Sequence, residues 1–236
     1  MTTLLDTSQE LLYPESDGQP MSENTEHYRW IVTIKENLEI LYAADANVFV
    51  AGDLLWYPVE GSETRVGPDV MVIFGVSKGK RGRYLQWEEG NIAPQVVFEI
   101  RSPGNKPGEM RDKFDFYQKH GVEEYYLYDF TRFTLDGWQR RGDRLEPILS
   151  MNGWVSPRLG IHFLMTTEDL DIYRPDGRRF LSTLELEEER QRAELERDQA
   201  RAALEQAELE RDQERQRAER LAARLRALNI DPDALD

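Results

Sequence analysis

Two acids stand 30 residues apart, each at the margin of an apolar run. Asp69 follows Pro68 at the head of "PDVMVIF", and Glu99 interrupts "VVFEI" close to its end. The neighbours of Glu99 (Val96, Val97, Phe98, Ile100) read as a strand buried on both faces. An acid in that setting requires a partner or a metal. If the two strands are neighbours in one sheet, the carboxylates converge. With the main-chain carbonyl of Ile100 they then form a set of hard oxygen donors suited to Mg²⁺ or Mn²⁺. Such an ion polarises a phosphoryl oxygen and lowers the pKa of a bound water. Taken singly, each acid has an ordinary reading: Asp69 as a strand-start residue, Glu99 as an edge-strand acid facing water.

The cations that follow divide by what they can do. Arg101 stays protonated, so it can offset developing charge but cannot take a proton from water. Lys113 lies four residues before Tyr117 in "KPGEMRDKFDFYQKHG", which puts both on one helical face. It reads either as a site cation or as an ordinary surface lysine, and Lys106 on the preceding loop is the alternative to it. Lys78, Lys80, Arg81 and Arg83 form a dense basic cluster, either a grip on a phosphate backbone near the site or a solvated, mobile loop. Trp87, Trp138 and Trp154 read as packing or turn aromatics.

These residues need a scaffold. Residues 1–20 are polar, with Pro14, Gly18 and Pro20, and read as a flexible lead-in. "SENTEHYRWIVTIKENLEILYA" reads as a helix capped by Ser22 or Asn24, with Tyr28, Ile31, Ile34, Leu38 and Leu41 on its apolar face. Three strand-like segments follow: "NVFVAGDLLWYP", "GPDVMVIFGV" and "PQVVFEI". The last two are separated by a basic, Gly-rich loop. The segment from Lys106 reads as a helix with Pro107 in its first turn and Gly121 at its end. "EEYYLYDF" is a strand. Between Thr131 and Ser182 the signals are hairpin-like, with "WVSPRLGIHFLM" a short strand pair and a turn at Pro175–Gly177. The order implies an α/β or α+β domain over 21–182 with a mixed sheet.

Residues 183–229 differ in kind. They contain no Gly, no Pro and no aromatic residue, and "AELERDQ" recurs after fourteen residues, at Ala193 and Ala207. Leu186, Ala193, Ala200, Ala207, Leu221 and Leu228 share one seven-residue register, interrupted by Glu214. Leu204, Ala218 and Leu225 share a second row with Arg190, Arg197 and Arg211. Pairs such as Glu194–Arg197, Asp198–Arg201, Asp212–Arg215 and Glu214–Arg217 support a helix at ~0.2–0.5 kcal/mol each. The segment is a single solvated helix or a coiled coil that makes a homodimer. Pro232 in the tail 230–236 ends it.

The composition sets limits. The 236 residues carry a formal net charge of −15 and no cysteine, which excludes disulfides and thiolate metal sites. Residues 1–181 hold 29 acids and 20 bases, so the acidity is not confined to the tail. Any DNA binding must work through a local basic patch or a bridging cation, because long-range steering is unfavourable. His27, His120 and His162 are too scattered for a zinc site. The N-terminus lacks the basic and apolar regions of a signal peptide, and no apolar run approaches the ~20 residues that span a bilayer. The expected compartment is the cytoplasm.

Pro68-Asp69 followed by Glu99-Ile100-Arg101 resembles the signature of the PD-(D/E)XK nuclease superfamily: Pro-Asp, a gap, then an acid, one residue and a lysine. The blocks "PDVMV", "VVFEIRSPGN", "EMRDKFDFYQKHGVEEYYLYD", "GWVSPRLGIHF" and "YRPDGRRF", and the tail ending "LRALNIDPDAL", together resemble the Uma-type, restriction-endonuclease-like family of bacterial proteins. The likeness runs over nearly the whole chain after residue 21. It implies a restriction-endonuclease-like core, a mixed sheet flanked by helices, with Asp69 and Glu99 matching the metal ligands. Arg101 stands where the family pattern has lysine, which weakens the case for activity unless Lys113 restores it. The Lys113–Tyr117 spacing resembles a Gln-x-x-x-Tyr element of some relatives. An acid from the first helix completes many such sites, and Glu26 is the candidate, with Glu36 and Glu39 as ordinary solvated residues. His27 reads as a hydrogen-bonded packing residue. The resemblance implies a Mg²⁺- or Mn²⁺-dependent endodeoxyribonuclease acting on DNA. The alternative is a non-catalytic protein of nuclease fold that assembles through its C-terminal helix.

Overall fold

The computed structural model describes residues 13–16, 18, 24–167 and 169–227. Ser22, most of the lead-in 1–20, Leu228 and the stop at Pro232 lie outside the described residues. The chain divides into two units at Ser182–Thr183.

The first unit is built on a six-stranded sheet. Its strands are β1 (Val48–Gly52), β3 (Val70–Phe74), β5 (Val96–Arg101), β6 (Glu124–Asp129), β7 (Thr134–Arg141) and β8 (Arg144–Pro147), and they lie side by side in that order. All neighbours are antiparallel except β5 and β6, which are parallel. That one parallel pair requires a crossover, and α2 (Glu109–Lys119) supplies it. Two further pairs stand apart: β2 (Trp56–Tyr57) with β4 (Tyr84–Leu85), and β9 (His162–Met165) with β10 (Leu170–Tyr173).

Strand alternation divides the core. Val70, Val72, Phe98, Ile100, Tyr126 and Tyr128 face one side, with α1 (Thr25–Leu41) and the β9–β10 hairpin. Met71, Ile73, Val97, Tyr125 and Leu127 face the other, with α2. Both sides of β3 and β5 are therefore covered, which is why those strands read as continuous apolar runs.

Three details differ from the sequence expectation. Tyr28 is 48% exposed, and the buried stripe of α1 runs through His27, Trp30, Ile31, Ile34, Asn37 and Leu38 instead. Polar His27 and Asn37 belong to the stripe because each finds a partner: His27 on Asp69, and Asn37 on Arg174 and the carbonyls of Thr33 and Leu181. Pro107 precedes α2 rather than sitting in its first turn. Gly108 caps the helix at φ 89°, a conformation that only glycine adopts readily. The segment between β3 and β5 is also not all loop: it carries β4 and a 3₁₀ turn, Gln86–Glu88, held by Gln86 accepting from the Trp56 indole N–H at 3.0 Å.

The second unit is α3 (Thr183–Ala227), 45 residues with none buried. Its ion pairs include Arg190–Glu187, Arg197–Glu194 and Arg215–Asp212. Arg201 takes Glu205, four residues on, rather than Asp198, which lies beside Arg197. Among the described residues no helix is long and apolar enough to cross a membrane.

Candidate active site

The β3–β5 register pairs Val70 with Phe98, and one step further sets Asp69 opposite Glu99. Asp69 accepts a hydrogen bond from the Ile100 N–H through Oδ2 at 2.6 Å, so its carboxylate sits on the residue next to Glu99. The same oxygen lies 3.1 Å from His27 Nε2, reached from the first turn of α1. Asn24 fixes that turn by accepting from the His27 N–H at 2.9 Å.

Glu99 is 1% exposed. The face of β5 on which it lies is the one α2 covers, and two α2 residues satisfy it. Lys113 Nζ donates to Oε2 at 2.7 Å and also to the Gly67 carbonyl at 3.2 Å. The Tyr117 hydroxyl donates to Oε1. The i, i+4 spacing of Lys113 and Tyr117 delivers both donors to one carboxylate.

Burial and charge push these groups apart. Burial alone would raise Asp69, but the His27 hydrogen bond, the Lys113 charge and the Ile100 N–H outweigh it and hold the acid below its ordinary range. Glu99 goes the other way. Burial raises it to about 8, with Lys113 opposing and the Asp69 charge adding. Burial would lower Lys113, yet Glu99 and Asp69 together hold it above its ordinary value. Lys113 is therefore a fixed ammonium, and Tyr117, raised first by burial and then by Glu99, stays a neutral donor.

Two buried acids thus face one fixed cation, and Glu99 is the acid that gives way. A dication held by Asp69, Glu99 and the Ile100 carbonyl fits that imbalance, because it supplies the positive charge that Glu99 otherwise makes up with a proton. Mg²⁺ commonly takes one or two carboxylates and leaves its other positions to water and phosphate oxygens. Among the described residues no group of three or more His, Cys, Asp or Glu gathers to hold a metal, so an ion here would rest on two carboxylates and one main-chain carbonyl.

The other candidates lie elsewhere. Arg101 ends β5 half-exposed, with Nε 3.9 Å from Asp129 Oδ2 on the neighbouring strand. Glu26 is exposed and pairs with Arg29 at 3.0 Å. No contact ties Lys106 to the carboxylates; its N–H donates to Glu109 at 3.0 Å. Three members of the basic cluster are held by contacts away from the carboxylates, and Lys80 is exposed. Lys78 donates to the Tyr42 and Ala43 carbonyls at the far end of α1 from His27. Arg81 pairs with Glu89 and lies over the Phe49 ring, and Arg83 pairs with Glu15. The tryptophans pack, Trp138 on Tyr125, Trp87 on Tyr13 and Trp154 through its N–H on Tyr126.

Two features escaped the sequence reading. The Gly67 carbonyl carries no side-chain signal at all. Glu124, 1% exposed, accepts from the Tyr126 hydroxyl, the Ser156 hydroxyl and the Arg158 N–H, and burial raises its pKa. It starts β6 level with Val96, so it lies toward the end of the sheet away from Glu99 and Asp129, where it ties down residues 156–158.

A family model, Uma2, described as "Putative restriction endonuclease", matches residues 13–168. Five chains of solved structure match as well. One of them, "a putative nuclease belonging to DUF820 from Anabaena variabilis ATCC 29413", is 16% identical with a TM-score of 0.45, covering 61% of this chain and 79% of its own. No curated protein matches.

Proposed function

The chain belongs to the Uma2 family, and from that premise we propose that it is a divalent-metal-dependent endonuclease that hydrolyses phosphodiester bonds in DNA. The observation that carries the reading is the pairing of Glu99 with Lys113 at 2.7 Å, beside an Asp69 that sits on the neighbouring Ile100 N–H. Asp69, Glu99 and the Ile100 carbonyl would hold a Mg²⁺ or Mn²⁺ ion, which when bound polarises a phosphoryl oxygen and makes a bound water more acidic. His27 fixes the direction of the Asp69 carboxylate, and Tyr117 fixes that of Glu99. Lys113 remains an ammonium. Its task is then to offset the charge that grows on the phosphate in the transition state, and it does not serve as a base. Arg101, exposed two residues beyond Glu99 on β5, would meet the substrate rather than the attacking water.

The competing reading, a nuclease-fold protein that only assembles through its tail, rests on arginine at the lysine position. Lys113 beside Glu99 supplies the cation that position lacks, and this favours the enzyme. Plasmid nicking with Mg²⁺ or Mn²⁺ tests the choice. Wild type should cleave, and Asp69→Ala and Glu99→Ala should not; equal activity in all three would refute the assignment.

We propose further that α3 pairs with the same helix of a second copy, in antiparallel orientation. From 183 to 214 the helix carries twelve acids and five bases, and from 215 to 227 five bases and one acid. The helix dipole accounts for such a bias only within a terminal turn. Antiparallel pairing sets the basic end on the acidic stretch. With residues i and j facing when i plus j is about 411 in the heptad scheme, Leu225 meets Leu186, Ala218 meets Ala193, Leu204 meets Ala207, and Glu214 meets Arg197. A parallel pair would oppose Glu214 to its own copy and each seam arginine to itself.

A further inference from the structure

Two residues beyond Glu99 on β5, a cleft of about 410 Å³ opens between the end of that strand and the start of α2. Its wall carries Arg101, Lys106 and Arg111, with Asn105, Pro107, Gly108 and Met110 between them, and no acid. For a chain of net charge −15, three cations around one cleft with no acid among its lining residues is a local reversal of sign.

The cleft is built rather than loose. Asn105 accepts from the Ser102 N–H at 2.8 Å, and the Gly104 N–H donates to the Ser102 hydroxyl at 3.2 Å. Glu109, the acid that opens α2, is turned onto the loop. It accepts from the Lys106 N–H at 3.0 Å and from the Asn105 amide at 3.4 Å, so both its oxygens are engaged there. All three cations are exposed, and among the described residues the ion pair that reaches any of them is the long contact of Arg101 with Asp129 at 3.9 Å.

We propose that this cleft binds a phosphate of the DNA chain next to the one being cleaved. The proposal rests on the nuclease reading and adds the residues that would hold the substrate. The chemistry is that of phosphate recognition. Two guanidinium forks, one ending β5 and one in the first turn of α2, and one ammonium on the loop between them offer only donors, and the forks make planar bidentate contacts with phosphate oxygens available. Position gives the register. Arg101 is about 6–7 Å along β5 from Glu99, which sets this cleft one short step along the strand from the carboxylate pair. Phosphate contacts of this kind orient the chain and carry no base sequence. They also resolve the charge problem: an acidic protein cannot steer DNA from a distance, but it can hold it at short range.

The test separates binding from cleavage. Fluorescence anisotropy with a labelled 20-base-pair duplex, in buffer with Ca²⁺ and a salt series, would compare wild type, Lys106→Ala/Arg111→Ala and the charge control Arg144→Ala at the exposed start of β8. Each lost phosphate contact flattens the slope of log K against log salt by about 0.9. The double variant should therefore bind about tenfold more weakly at roughly 0.15 M salt, with a slope shallower by about 1–2, while the control matches wild type. A double variant indistinguishable from wild type, an equal loss in the control, or a wild type that binds no duplex would each overturn the proposal. A wild type that binds with the expected slope, loses it in the double variant, and yet cleaves no plasmid with any divalent ion would uphold the cleft and refute the nuclease reading instead.

Discussion

Glu99 makes the stability of this protein depend on pH in a direction opposite to that of most acids. Its carboxyl is raised from 4.5 to about 8, chiefly by burial. Between those values the folded chain holds a proton that the unfolded chain has released, so stability is greatest at the acid end and is lost as the pH climbs toward 8. The full interval corresponds to roughly 5 kcal/mol as an upper bound, and about 2 kcal/mol of it falls between pH 6.5 and 8.5. Lys113 and Tyr117, both raised, titrate above this window and leave it undisturbed. His120, which burial lowers, acts below it. Glu124 is raised as well, and for that reason the informative comparison is between wild type and Glu99→Gln, which keeps Glu124 in both. The glutamine can still accept from Lys113 and donate to the Tyr117 oxygen, so the site stays hydrogen-bonded. Urea unfolding in EDTA at the two pH values should show the wild-type midpoint falling by just under about 1 M at pH 8.5, for a slope of about 2–3 kcal/mol/M. The variant should lose markedly less. Parallel curves for the two proteins would refute the claim that Glu99 is a buried acid that ionises near pH 8.

Lys113→Met leaves Glu99 and Asp69 without their cation; cleavage should fall by at least ~10²-fold and stability at pH 8.5 by about 3 kcal/mol, more than at pH 6.5, as read by single-turnover kinetics and urea titration. Tyr117→Phe removes one of two donors to Glu99, at a cost of about 1–3 kcal/mol, and should move the rising limb of the pH–rate profile toward alkali. The chain has no cysteine, so the orientation of α3 can be read by cross-linking: mixed Ala193→Cys and Ala218→Cys chains should form a heterodisulfide. Ala193→Cys alone should not join itself, because antiparallel partners hold those positions about 37 Å apart. Self-linking of Ala193→Cys would show a parallel pair.

What the sequence disclosed followed from short-range rules. Glu99 is legible as a buried group because its immediate neighbours are apolar, and Lys113 and Tyr117 are legible as companions because four residues make one helical face. The mixed α/β character was legible from the change of period between strand and helix segments. The contacts that complete the site were not, because they join distant stretches of chain. His27 reaches Asp69 across 42 residues, and Gly67 contributes only a carbonyl. The Arg101–Asp129 contact depends on the parallel register of β5 and β6, which sets those two residues level with each other. Hydropathy counts Tyr28 with the core, yet it stays exposed, while His27 and Asn37 go inside on the strength of partners that no local window contains. The cluster at Lys78–Arg83 reads as a phosphate grip or a solvated loop because the carbonyl, carboxylate and ring partners of Lys78, Arg81 and Arg83 are supplied by other elements.

The central claim is that Asp69 and Glu99 hold one divalent ion, and binding of Mn²⁺ followed by the EPR signal of the free ion tests it without reference to any substrate. At pH 8.5, where Glu99 is largely ionised, the account predicts one ion per chain in wild type, weaker binding at pH 6.5 where a proton must leave, and loss of that ion in both Asp69→Ala and Glu99→Gln. Binding of equal strength and stoichiometry in wild type and both variants would contradict it.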